Sequence, residues 1–147
     1  MKAFSFRLES VLNYRKFLEK KAMMQLMREK KLYSEVEMLI SHFKSKKSEV
    51  AKQCHLAGLN GVDASHYQTY KSYLGKLNDD IDKAYIELKE KEKDIEEQEM
   101  VLKNETVKKK AVETLRNRHF EEHRSMAEKA EQKYMDEVVI LQRGVKI

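Results

Sequence analysis

Two places in the sequence carry residue types that do bond chemistry in other proteins. His119-Phe120-Glu121-Glu122-His123 sets two histidines four apart with a glutamate before the second. On a helix that spacing puts both imidazoles on one face, the arrangement that holds zinc and supplies a general base in metalloproteases. Such a site also needs a third ligand and a cleft that excludes water. The alternatives are a solvated polar turn or a fortuitous surface metal site. Cys54-His55 puts a thiol beside an imidazole, the raw material of a nucleophile. Its alternative is a small buried hydrophobe with a polar neighbour. Which reading holds depends on the elements that the rest of the chain can build.

Those elements are long helices. The chain has 147 residues, 37% of them charged and 41% hydrophobic, with no proline, no tryptophan and four glycines. A sheet protein needs many turns, and glycine and proline make most of them. Their scarcity argues against enzyme folds built from glycine-rich loops over a sheet. A rod of two helices offers no cleft, so both chemical motifs read as structural and the chain as a non-enzyme. The single cysteine cannot close an intramolecular disulfide, no apolar run approaches the ~20 residues of a membrane span, and no apolar stretch follows the N-terminal charge as in a signal peptide. A reducing cytoplasm is the expected compartment.

The hydrophobic pattern repeats in sevens. In the first arm Leu8, Arg15, Ala22, Glu29, Val36, Phe43, Val50 and Ala57 form one set. Val11, Leu18, Gln25, Leu32, Leu39, Lys46 and Gln53 form a second, widened by Leu12, Leu26, Tyr33 and Ile40. In the second arm Tyr67, Leu74, Ile81, Leu88, Ile95 and Leu102 are apolar without exception. After Leu102 the phase moves to Ala111, Leu115, Met126, Ala130, Tyr134, Val138 and Leu141, the drift expected of a stutter. Between the arms, Gly58-Leu59-Asn60-Gly61-Val62-Asp63 is the one place to turn, with Gly58 left-handed at the helix end and Asp63 capping the next helix. One unbroken helix is the competing reading, because two glycines cost only about 2 kcal/mol relative to alanine.

The expected fold is therefore all-α: two long helices, about 5–57 and about 64–142, forming an antiparallel coiled-coil hairpin as a single domain, with a turn at about 58–63. At ~1.5 Å per residue the helices span roughly 80 and 120 Å, leaving an overhanging C-terminal helix. A turn centred near Asn60 and Gly61 sets Leu8 near Glu113 and Val36 near Tyr85. Everything past about residue 117 is then without an internal partner, and its stripe from Phe120 to Leu141 is a candidate docking surface.

Charge is uneven. The net charge is +5, but residues 1–50 hold twelve Lys/Arg against six Asp/Glu, whereas 76–99 hold five against ten. Opposite signs favour the two stretches lying side by side. Lys108, Lys109, Lys110, Arg116 and Arg118 form the strongest basic cluster, but no aromatic platform interleaves with it, which argues against nucleic acid. Tyr67 and Tyr70 belong to the seam, whereas Tyr73 flanks it and is expected to be partly exposed, as contact residues are.

The run Phe4-x-Phe6-x-Leu8-x-x-Val11-Leu12-x-x-Arg15-x-x-x-Glu19-x-x-Ala22 and the run Glu131-Gln132-Lys133-Tyr134-Met135-Asp136-Glu137 resemble the two ends of the FliJ family, small coiled-coil proteins of the bacterial flagellar export apparatus. With the hairpin length, the similarity covers nearly the whole chain. The resemblance implies a stalk whose joined termini enter the hexameric export ATPase and promote ring assembly. It also implies binding to the linker of the export gate's large membrane protein and to export chaperones, in the cytoplasm and peripherally at the inner membrane of the flagellar base. The matching positions for the gate are Tyr73 and Leu77, one helical turn apart. For the ATPase ring they are Arg15, Glu131, Gln132, Asp136 and Glu137 in the terminal segments. Nothing in the resemblance calls for a cofactor, a metal or a small-molecule substrate. Two other readings share the pattern: the equivalent stalk of a virulence secretion system, and a structural coiled coil that dimerises.

Overall fold

The structure, a computed structural model, describes residues 2–145. It contains two helices, α1 (Glu9–Leu59) and α2 (Ala64–Val145), packed against each other, and no strand among the described residues. The residues group into two compact units. One holds Met1–Lys21 with Lys103–Ile147, and the other holds Ala22–Leu102.

The Ala22–Leu102 unit contains the turn and most of the apolar core. α1 ends on a Schellman motif, in which Val62 N–H donates to the Ala57 carbonyl at 3.1 Å and Gly61 N–H to the Gly58 carbonyl at 3.5 Å. Gly61 takes the left-handed conformation, with φ of 77°. The expectation that Gly58 would do so is corrected: Gly58 stays inside α1, because this pairing of carbonyls puts the left-handed residue three positions later. The Asp63 carbonyl accepts the Tyr67 N–H at 3.0 Å, opening the ladder of α2.

Buried positions recur along α1 at double-heptad intervals: Ala22, Val36 and Val50 in one series, Leu26, Ile40 and Cys54 in the other. On α2 the buried positions of this unit are Leu77, Ile81 and Ala84, and Val36, Ile40 and Ala84 form one cluster with Leu88 against it. The second seam series is thus the one containing Leu12, not the one containing Val11; Val11 and Leu39 lie exposed. The Val11 series holds three polar residues, Gln25, Lys46 and Gln53, and the Leu12 series two, Glu19 and Lys47, whose positions are half-buried rather than buried.

The pairing is also displaced from the expected one. Tyr33 has Glu92 as a neighbour, and Val36 shares its cluster with Leu88, about one turn farther along α2 than a fold-back at Asn60-Gly61 predicts. Half the displacement comes from the later turn, since α1 runs to Leu59 and α2 starts at Ala64. The rest follows from side-chain direction: every helical side chain leans toward its own N-terminus, so in an antiparallel pair the touching residues have higher numbers than the level Cα atoms.

In the other unit α1 starts at Glu9 rather than near residue 5. Residues 2–6 have no regular structure and 7–8 form a turn, closed by Glu9 N–H to the Phe6 carbonyl at 3.2 Å. Phe4 and Phe6 are two apart and would point to different sides of a helix. Outside the helix both rings reach α2, which is why the first turn is given up.

Candidate partner-binding surfaces

In the unit formed by Met1–Lys21 and Lys103–Ile147 the heptad phase of α2 does not drift. It continues in sevens from Leu102 as Lys109, Arg116 and His123, all partly buried. The expected stutter is corrected accordingly: of its positions Ala111, Met126, Ala130, Tyr134 and Leu141 are exposed and only Leu115 and Val138 are half-buried among the described residues, while polar residues occupy the continuing sevens. Each has a partner from the N-terminal segment. Lys109 Nζ pairs with Glu19 Oε1 at 2.9 Å, Arg116 Nε with Glu9 Oε2 at 3.0 Å, and His123 Nε2 lies 3.0 Å from the Lys2 carbonyl oxygen. The carbonyl can only accept, so that imidazole nitrogen carries a proton. The Lys109 ammonium holds the Glu19 carboxyl below its ordinary range, and Glu19 in turn raises Lys109. Three members of the expected basic cluster are therefore spent on internal pairs, Lys109 and Arg116 across the helices and Lys108 with Glu105 along α2 at 4.0 Å.

Aromatic rings close this ladder. Phe6 is buried edge-on against His119 at 5.7 Å. Phe4 packs edge-on against Phe120 at 5.2 Å and His123 at 5.6 Å, with the Arg116 guanidinium 5.6 Å from its ring centre. Phe120 and His123 thus have internal partners, beyond the residue-117 limit expected from sequence. The two histidines of the zinc-like motif are occupied in holding the N-terminal strap. Among the described residues, no group of three or more His, Cys, Asp or Glu is placed to hold a metal ion. This clamp was legible only as spacing: Leu102, Lys109, Arg116 and His123 continue the apolar sevens, but polar residues at seam positions do not announce themselves.

From Arg124 to Gly144 most side chains of α2 are exposed, including Met126, Tyr134, Met135, Ile140 and Leu141. Glu131, Gln132, Asp136 and Glu137 lie in this segment and are exposed. Arg15 lies on α1, half-buried at its heptad position.

The remaining sequence-selected residues lie in the Ala22–Leu102 unit. Tyr73 is half-buried, with the Lys46 ammonium 5.9 Å from its ring centre. It lines an open groove with Val50, Gln53, His66, Thr69 and Tyr70. Leu77 is 3% exposed and belongs to the core. Tyr67, expected in the seam, is 40% exposed. Cys54 is a free, buried thiol. Tyr33 has its hydroxyl pushed up, first by burial and then by its hydrogen bond to Glu37 and the charge of Glu92. The Lys44 ammonium donates to the Tyr85 hydroxyl, a cross-helix contact made without a carboxylate.

No helix among the described residues is long and apolar enough to cross a membrane. No curated protein and no solved structure matches the chain. A family model does, over residues 4–145: that of the flagellar FliJ protein. It spans both the aromatic strap and the exposed end of α2, so the chain belongs to the FliJ family, helical coiled-coil components of flagellar protein export.

Proposed function

We propose that this protein is the stalk of the flagellar export machine. Its terminal segments enter the hexameric export ATPase and promote ring assembly, and its Tyr73 region engages the linker of the export gate, so that the two are coupled. In this reading α2 projects beyond its last intrachain partner, and export chaperones bind the same protein at the cytoplasmic side of the flagellar base. The supporting observation is the end of α2, where Tyr134, Ile140 and Leu141 are each more than 60% exposed beside the exposed Glu131, Gln132, Asp136 and Glu137. Apolar side chains standing open in a charged surround mark a contact surface for another protein. The role is mechanical and needs no bond chemistry, consistent with a clamp that uses both histidines for packing.

The test is reconstitution with the purified export ATPase. The wild-type chain should increase the hexamer fraction and ATP hydrolysis. A variant carrying Glu131→Lys, Asp136→Lys and Leu141→Asp should keep its helical content and lose both effects; full activity in that variant removes the terminal segment from the ATPase contact. For the gate, Tyr73→Ala is the informative substitution, read by binding to the purified linker. Leu77 acts from the core and supports the shape of that surface, so its replacement reports on folding as well as binding.

A further inference from the structure

Within the Ala22–Leu102 unit, the two helices carry outward faces of opposite character. On α1, Met23, Met24, Met27 and Met38 are 50–69% exposed, with Lys30 and Lys31 exposed among them. At 3.6 residues per turn Met24, Met27, Lys31 and Met38 lie on the side opposite Ala22, Leu26, Val36 and Ile40, with Met23 and Lys30 at the edge of that side. On α2, Ile86 and Met100 are 62% and 66% exposed, with Glu90 and Glu97 between them. They lie opposite Leu77, Ile81 and Ala84. Lys93 shares that face, but Glu90 and Glu97 flank it one turn to either side.

The opposite charges are not used up inside the unit. Among the described residues, no ion pair joins α1 to α2 between Ala22 and Leu102; both cross-helix pairs lie in the other unit. The expectation that the basic and acidic stretches hold each other together is therefore not realised as direct pairs. Each face combines flexible or branched apolar side chains with a preponderance of one charge, Arg28 and Lys31 outnumbering Glu35 on α1 and Glu90 and Glu97 outnumbering Lys93 on α2, and methionine adapts to whatever surface it meets. A partner for the α1 face needs apolar residues set among carboxylates on a helix. The α2 face has that composition.

We propose that the α1 face of one copy docks on the α2 face of a second copy, driven by methionine burial and Lys30/Lys31 with Glu90/Glu97 pairing. The two faces point away from a shared core, so the contact is heterologous: each added copy leaves one basic and one acidic face open, and assembly continues past two. This is a property of the free protein and uses neither the end of α2 nor the aromatic strap.

Sedimentation equilibrium on the full chain tests it. The average mass should rise with concentration beyond that of a dimer, and the rise should be suppressed at about 1 M salt, where the screening length falls to about 3 Å. Lys30→Glu with Lys31→Glu gives a copy with two acidic faces, and Glu90→Lys with Glu97→Lys gives one with two basic faces. Each alone should stay monomeric with unchanged circular dichroism, and an equimolar mixture should associate again. A mass of one chain at every concentration overturns the proposal. So does association that persists in both variants, which would place the contact elsewhere, for instance on the apolar end of α2.

Discussion

The two units solve the same packing problem with different chemistry. Between Ala22 and Leu102 the helices meet through Leu26, Val36, Ile40, Leu77, Ile81 and Ala84, all buried, without a cross-helix ion pair. In the unit of Met1–Lys21 and Lys103–Ile147, Phe6 and Leu12 are the buried residues among those described, and around them the seam is made of Glu19 with Lys109, Glu9 with Arg116, and the Phe4/Phe6 strap over His119, Phe120 and His123. Apolar burial is insensitive to salt and is costly to lose; exposed or half-exposed ion pairs contribute little and are screened. One heptad frame thus yields a firm region and a region that can be opened at low cost.

The largest effect is expected from Leu77→Ala. A buried leucine truncated in a core costs about 2–5 kcal/mol, and a thermal melt followed by helical signal should shift well below wild type. A negligible shift would erase the contrast between the units. Phe6→Ala should remove about 2 kcal/mol of local burial and expose residues 2–8 to hydrogen exchange while leaving the global melt nearly unchanged. If the whole molecule melts earlier by as much as for Leu77→Ala, the strap is part of the main core and the division fails.

Glu29 tests the firm region from the other side. Its Oε2 is buried with no hydrogen-bond partner, an arrangement that costs about 1–3 kcal/mol. Glu29→Leu should therefore raise the melting temperature, and a lower one would mean the carboxylate is supporting the seam.

The smallest effect belongs to the ion pair of Glu19 and Lys109, and it is best read through pH. Glu19 is lowered in the folded state, chiefly by its hydrogen bond from Lys109, so its contribution is complete above its ordinary value of 4.5 and disappears as pH falls through the lowered one. Lys109 is raised, chiefly by Glu19, so its contribution is complete below 10.5 and disappears as pH rises through the raised one. Lys109→Met should flatten both limbs in exchange rates measured at residues 103–123 and leave those of 74–88 as they were.

Much of the fold is written in residue types. The apolar sevens from Leu74 to Leu102 and those from Ala22 to Val50, broken only by Glu29, read directly as a two-helix seam, and Asn60-Gly61 reads as the turn. The half-buried state of Tyr73 follows from its place beside the seam. The runs around Phe4–Ala22 and Glu131–Glu137 carry the family resemblance, and the family match covers both. What could not be read was the side of the seam on which Leu12 rather than Val11 sits, the pairing of α1 with α2, and the use of Lys109, Arg116 and His123 as seam residues. Each depends on the facing helix: a position is buried only if something stands opposite it.

Composition and periodicity alone determined that this chain makes long helices with one continuous stripe, because the lack of proline, the few glycines and the sevens leave no other way to bury apolar area. Only the tertiary structure decided that Phe4 and Phe6 leave the helix to clamp His119 and His123, and that Leu77 sits in the core. Those outcomes turn on distances of a few ångströms between residues about a hundred positions apart for the strap, and on the lean of side chains toward each helix's N-terminus, which shifts the pairing by residues that no repeat along one strand of sequence records.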